Sequence, residues 1–207
     1  MEHTLKKMNA LFLFGITTLC LFSCHVKPRQ TLPYYGSRHY DSITNDTVYH
    51  HVTNFKLTDQ FGQTVTQDTF KNKIFAANFF FAACPSVCRI MNKELERVEK
   101  QFASNPEVKF ISYSVTPEQD SVPVLAAYAK SHDAVPFQWY FLTGDKDEIV
   151  KQAHVSYNLV FGNYLVHSQN ITLVDKKGHI RGVYCGTLTT EMDRLIKDIQ
   201  ILLADDQ

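Results

Sequence analysis

From about residue 70 onward the chain alternates between two kinds of apolar pattern. "KIFAANFFF" (73–81) and "VKFISYSV" (108–115) are nearly continuous apolar runs of strand length, as expected of central strands covered on both faces. "QWYFLTG" (138–144) predicts a third such strand. Between the first two, Met91, Leu95, Val98 and Phe102 recur at helical spacing, which predicts a helix from near Pro85 to about Ala103. Pro85 suits the first turn of that helix, where its missing N–H costs nothing. "SVPVLAAYAKSH" (121–132) predicts a second helix, and "DKDEIVKQAHV" (145–155), with three acidic residues in its opening turn, a third.

"NITLVDKKGHIRGVYCG" (170–186) predicts two strands joined by a tight turn that Asp175 caps, and the stripe Met192, Leu195, Ile196, Ile199, Leu202 and Leu203 predicts a closing helix. Upstream, "YHHVTNFKLTDQFGQTVT" (49–66) alternates and turns at 59–62, the pattern of a short hairpin. The order is that of a three-layer α/β domain with a central mixed sheet, its last hairpin supplying antiparallel edge strands.

The first 47 residues break the pattern. Lys6 and Lys7 precede "ALFLFGITTLCLF" (10–22), an apolar run too short to span a membrane comfortably, so residues 1–23 read as a signal peptide. The run ends "LFSC", which resembles the bacterial lipobox and implies that Cys24 is lipidated and becomes the first mature residue. Residues 24–47 are polar, with Pro28, Pro33 and Gly36, and read as a flexible tether to a domain spanning 48–207. The domain is thus expected in a bacterial cell envelope, anchored to the membrane through lipid and facing the periplasm. Lys plus Arg and Asp plus Glu both number 21, so no basic excess argues for nucleic acid.

Targeting changes the cysteine arithmetic. Of five cysteines, Cys20 falls in the signal and Cys24 at the lipidation point, leaving Cys84, Cys88 and Cys185 in a compartment that would oxidise idle neighbours. In "CPSVC" (84–88), Cys84 lies past the carboxyl end of a central strand and before a helix N-terminus, where the dipole and free N–H groups stabilise a thiolate. Spacing of four puts both sulfurs on one face. They read as a redox pair, a metal clamp or two small buried hydrophobes. A metal would need a further ligand, for which His167, in "YLVHSQNITLVD", is the candidate. Thiolates favour Cu(I), and an added imidazole accommodates Cu(II). Cys185 reads as a buried strand residue. His50 and His51 point to opposite faces and read as solvated, and Trp139 reads as core.

"CPSVC", "SVTPEQD", "WYFLTG" and "VHSQNITLVDKKG", in this order and at these intervals, resemble the Sco/SenC family over about Val52–Leu203. The resemblance implies a membrane-anchored, thioredoxin-like protein that binds copper through Cys84, Cys88 and His167. It implies a metallochaperone rather than an enzyme, its partner being the copper-binding subunit of cytochrome c oxidase or another envelope cuproprotein. The chain departs from the family at three places: Thr116 and Val166 stand where aspartates are usual, and Arg89 where a proline follows the second cysteine. The alternative is a thiol-disulfide oxidoreductase using Cys84 and Cys88 on client cysteines, a reading the C-x-x-x-C spacing permits.

Overall fold

The structure is a computed structural model that describes residues 30–158 and 169–205. Its elements in chain order are β1 (Arg38–Asp41), β2 (Asp46–Tyr49), β3 (Lys56–Thr58), β4 (Thr64–Thr66), a 3₁₀ turn (Gln67–Phe70), β5 (Ile74–Phe80), α1 (Val87–Gln101), β6 (Val108–Ser114), α2 (Val122–Ser131), β7 (Trp139–Leu142), α3 (Lys146–Lys151), a π turn (Gln152–Ser156), β8 (Asn170–Val174), β9 (Ile180–Cys185) and α4 (Thr189–Asp205). The main sheet runs β7-β6-β5-β8-β9, parallel through β5, β6 and β7 and antiparallel at β8 and β9.

Side chains alternate across this sheet, and both sides are apolar. Ile74, Ala76 and Phe80 of β5, with Trp139 and Phe141 of β7, pack under α1, α2 and α4. Phe75, Ala77 and Phe79, with Ile111, Tyr113, Tyr140 and Leu142, pack under the β3–β4 hairpin, the 3₁₀ turn and α3. This is the three-layer, thioredoxin-like arrangement that the continuous apolar strands predicted.

Four local expectations change. The β8–β9 hairpin contributes only one edge, because β8 pairs with β5 inside the sheet and β9 alone is outermost. Helix α1 begins at Val87 with Ser86 at its cap, so Pro85 lies just outside the helix rather than in its first turn. The third helix is shorter than its pattern and passes into the π turn, where Ile149, Ala153 and Tyr157 share one core face. The tether segment carries a hairpin of its own, β1–β2, and is fastened to the domain. Tyr34 stacks on Tyr49 at 4.1 Å, and the Arg181 guanidinium lies 4.2 Å from the Tyr34 ring. Arg181 also donates to the backbone carbonyls of Leu32 and Pro33. Short strands of polar residues carry no periodic signal strong enough to see, and this attachment depends on a residue some 150 positions away, beyond the reach of local pattern.

At the opposite edge of the sheet a side chain stands in for a strand along β7, and just past β7 the backbone of Thr58 pairs with that of Thr143. Gln60 donates to the carbonyl of Trp139 at 2.8 Å and accepts from the N–H of Phe141 at 2.9 Å, imitating a further strand along β7. Asp175 caps its turn as predicted, accepting at Oδ1 from the N–H groups of Lys177 and His179 and pairing through Oδ2 with Arg181 at 2.9 Å.

Candidate functional site

Strand β5 ends at Phe80, and the chain turns through Phe81, Ala82 and Ala83 into Cys84, whose N–H donates to the Phe81 carbonyl at 3.2 Å. One buried acid holds the turn. Asp120 Oδ2 accepts from the Ala82 N–H at 3.1 Å, from Ser114 Oγ at 2.6 Å and from Thr116 Oγ1 at 3.2 Å. Donors converging on a carboxylate make stronger bonds than neutral pairs. They tie the end of β6 and the entry to α2 to the segment that presents the first cysteine.

A chain of hydrogen bonds keys α1 to the sheet. Trp139 Nε1 donates to Ser112 Oγ (2.9 Å), Ser112 Oγ to Asn78 Oδ1 (2.6 Å), Asn78 Nδ2 to Asn92 Oδ1 (2.9 Å), and Asn92 Nδ2 to Tyr128 OH (2.9 Å). Asn78, Asn92 and Ser112 are fully buried in an otherwise apolar layer. Leaving one such group unpaired costs about 1–3 kcal/mol, so few positions of α1 relative to the sheet satisfy all of them.

That register sets the sulfurs. Cys88 is on the first turn of α1 with no exposure, and Cys84 is 4 % exposed. The Cys88 N–H donates to Cys84 Sγ at 3.5 Å. Burial works against ionisation of Cys84. The N–H groups of Cys88 and Ser86, with the Cys88 thiol and the Ser86 hydroxyl, nevertheless hold its pKa below the ordinary thiol value. Burial pushes the Cys88 thiol up to about 12; the Phe81 N–H opposes this, and the adjoining Cys84 adds to it. The pair therefore loses its first proton at Cys84 and keeps its second at Cys88. Tyr128, pushed up to about 12 mainly by burial, stays a neutral phenol close enough to feel both sulfurs.

The two cysteines expected to act together are thus brought together, at the strand-to-helix junction where the sequence put them. Both are buried in the layer that also holds Phe80 and Met91, which is the property the small-hydrophobe reading required; the convergent donors are what that reading leaves unexplained. His167 and Cys24 lie outside the described residues. Among the described residues no group of three or more His, Cys, Asp and Glu side chains gathers as a metal cage. Cys185 ends β9 half-buried rather than buried, its sulfur 3.3 Å from Thr187 Oγ1. His50 is tied through Nε2 to the Ser156 carbonyl at 2.8 Å instead of being free in solvent, whereas His51 is exposed. Sequence reasoning passed over Asp120, Asn78, Asn92 and Tyr128. Asn78 alone left a signal, as the one polar residue within "IFAANFF".

Fold and site together define a thioredoxin-like protein with two cysteines at its strand-to-helix junction. Residues 44–204 match the SCO1/SenC family, and the chain belongs to it. Among the solved structures that resemble it, three illustrate the likeness. A SCO1/SenC family lipoprotein from Bacillus anthracis is 26 % identical with a TM-score of 0.68, covering 74 % of this chain and 95 % of its own. BsSco, a member of the Sco family of cytochrome c oxidase assembly proteins in which a disulfide switch has been identified, is 29 % identical with a TM-score of 0.65, covering 73 % and 92 %. ScoI from Bradyrhizobium japonicum, solved with copper bound, is 27 % identical with a TM-score of 0.58, covering 73 % and 99 %.

Proposed function

We propose that this protein binds copper at the Cys84–Cys88 pair and delivers it to a cuproprotein of the cell envelope, foremost the copper-binding subunit of cytochrome c oxidase during its assembly. The observation that carries the reading is the pair itself: two soft sulfurs at one strand-to-helix junction, one favoured as thiolate, in a family with a copper-loaded member. Two thiolate donors fit Cu(I), and His167 is assigned as the third ligand, which would also admit Cu(II). Binding at Cys88 must displace a proton that burial holds tightly, so copper uptake releases protons and strengthens as pH rises. Both sulfurs are nearly closed off from solvent, so passing copper to a client's own ligands requires local opening at this pole. Lipidation at Cys24 would hold the domain at the membrane, as the description of the Bacillus anthracis relative as a lipoprotein supports.

The test is copper stoichiometry of the reduced full chain. One copper per chain is expected, lost in Cys84→Ser and Cys88→Ser and weakened, with altered absorption bands, in His167→Ala. A His167→Ala protein with unchanged affinity and spectrum removes the third ligand from the assignment. Retention of full affinity in both serine variants rejects the site.

The unequal thiols favour a second activity. A reactive Cys84 beside a reluctant Cys88 is the arrangement of an attacking and a resolving thiol, and a relative has a disulfide switch. Copper-free protein that reduces a model disulfide quickly, with no loss in His167→Ala, would make thiol exchange a function in its own right.

A further inference from the structure

A groove of about 840 Å³ opens beside the cysteine pair, between the start of α1 and the end of α2. Pro85, Ser86, Arg89, Ile90, Tyr128 and His132 line it. Its charges are unequally satisfied. Lys93 is spent on Glu96, which also binds Lys100 at 2.6 Å, and Glu94 is spent on Arg97 at 2.9 Å. Arg89 is exposed and, among the described residues, its guanidinium has no acidic partner. The first turn of α1 holds no acidic side chain to offset it, and Ser86 makes no side-chain cap bond to the turn's N–H groups. Next to Arg89, Ile90 is 54 % exposed, an apolar surface beside an unspent positive charge.

We infer that this groove is where the partner docks, and that what it accepts is an acidic protein segment carrying an apolar side chain, its carboxylate on Arg89 and its apolar group over Ile90 and Pro85. This rests on the proposed exchange of metal or thiols at Cys84 and Cys88, because a partner held on Pro85, Arg89 and Ile90 lies against the residues that adjoin both cysteines in the chain. An unpaired guanidinium near a reacting centre speeds the approach of anions and slows that of cations, and salt screens both effects.

Disulfide probes of opposite charge test this on metal-free protein, so that the outcome does not depend on copper binding. In each reaction the Cys84 thiolate attacks a probe disulfide, forming a mixed disulfide and releasing one probe thiolate; Cys88 then displaces the second. Oxidised glutathione is the anionic probe, cystamine the cationic one, and hydroxyethyl disulfide the neutral reference. At low salt, Arg89→Glu is expected to lower the glutathione-to-neutral rate ratio by about fivefold and raise the cystamine-to-neutral ratio by a similar factor, with both changes vanishing near 1 M salt. Ratios that move less than twofold overturn the role of Arg89. A second arm asks for the segment itself. A Glu-rich peptide with one central leucine should slow the glutathione reaction, and Ile90→Ser should weaken that inhibition while sparing inhibition by hexaglutamate. Equal inhibition of the two proteins by the leucine peptide overturns the apolar half of the site. Failure of this experiment leaves copper stoichiometry untouched, and loss of copper binding leaves the charge ratios untouched.

Discussion

The two faces of the sheet solve different problems. Under the β3–β4 hairpin and α3, the buried layer is built largely from rings: Phe55, Phe70, Phe75, Phe79, Tyr113, Tyr140 and Tyr157 make edge and stacked contacts at 4.9–6.1 Å, and the hydroxyls of Tyr113 and Tyr157 meet each other at 3.2 Å. Under α1 and α2, the layer is interrupted by Asn78, Ser112, Asn92 and Asp120, each spending its hydrogen bonds on a specific partner. The aromatic face gains stability by area, which is non-directional. The polar face gives up some of that area for direction, and direction is what places one sulfur against the N–H of the other.

If this division holds, damage to the two faces should differ in kind as well as size. The largest effect is expected from Phe79→Ala, which empties a fully buried ring position and should cost about 3–5 kcal/mol in urea unfolding, while leaving the thiol pKa of the surviving folded protein unchanged. Asn78→Ala should cost about 2–3 kcal/mol, since Ser112 and Asn92 both lose a partner. It should also shift the disulfide potential of the cysteine pair, a change that Phe79→Ala does not make; equal shifts in both variants would erase the distinction between the faces.

A third test concerns Glu99, which sits at the far end of the same helix as Cys88. Burial pushes its carboxyl up to about 7, opposed by the Val135 N–H that it accepts at 3.0 Å and assisted by the Glu96 carboxylate. The folded protein therefore keeps this proton between the ordinary carboxylate pKa of 4.5 and about 7, where the unfolded chain has lost it. Stability from this group is full below 4.5 and falls as pH rises towards 7. Glu99→Gln should be more stable than the parent by about 1–3 kcal/mol at pH 8 and flatter between pH 5 and 7 in thermal unfolding. A parent whose stability does not decline across that range would contradict the buried, protonated acid.

The smallest effect is expected from Asp120→Asn. It keeps an acceptor but weakens the charge-assisted hold on the turn, at roughly 1–2 kcal/mol. Its sharper signature is faster hydrogen exchange at Ala82 and slower reaction of Cys84 with a neutral disulfide. Exchange at Ala82 equal to the parent would mean that the turn does not need this acid.

Much of the fold was visible in sequence because its strands are covered on both faces and read as unbroken apolar runs, while its helices show one apolar stripe each. The cysteine pair was visible for a related reason: a short spacing at a junction between two such patterns is itself local. Asp120 was not visible, although "SVTPEQD" was singled out, because an acid in a polar loop looks solvated until β6 and α2 carry it under Ala82. The β1–β2 hairpin was hidden for the opposite reason, since its residues look like a linker until Tyr49 and Arg181 are found waiting for Tyr34 and Leu32.

Taken alone, the order of residues determined the succession of strands and helices and the seating of two thiols at a helix entrance, since both follow from periodicity and spacing within a few turns of chain. Which thiol ionises first, which acid steadies the turn, and which guanidinium is left without a partner were decided only by the folded molecule. The donors around Cys84 are near in sequence, but the burial that raises Cys88 and the reach of Asp120 to Ala82, 38 positions away, are set by sheet order and helix register, which no local stretch encodes.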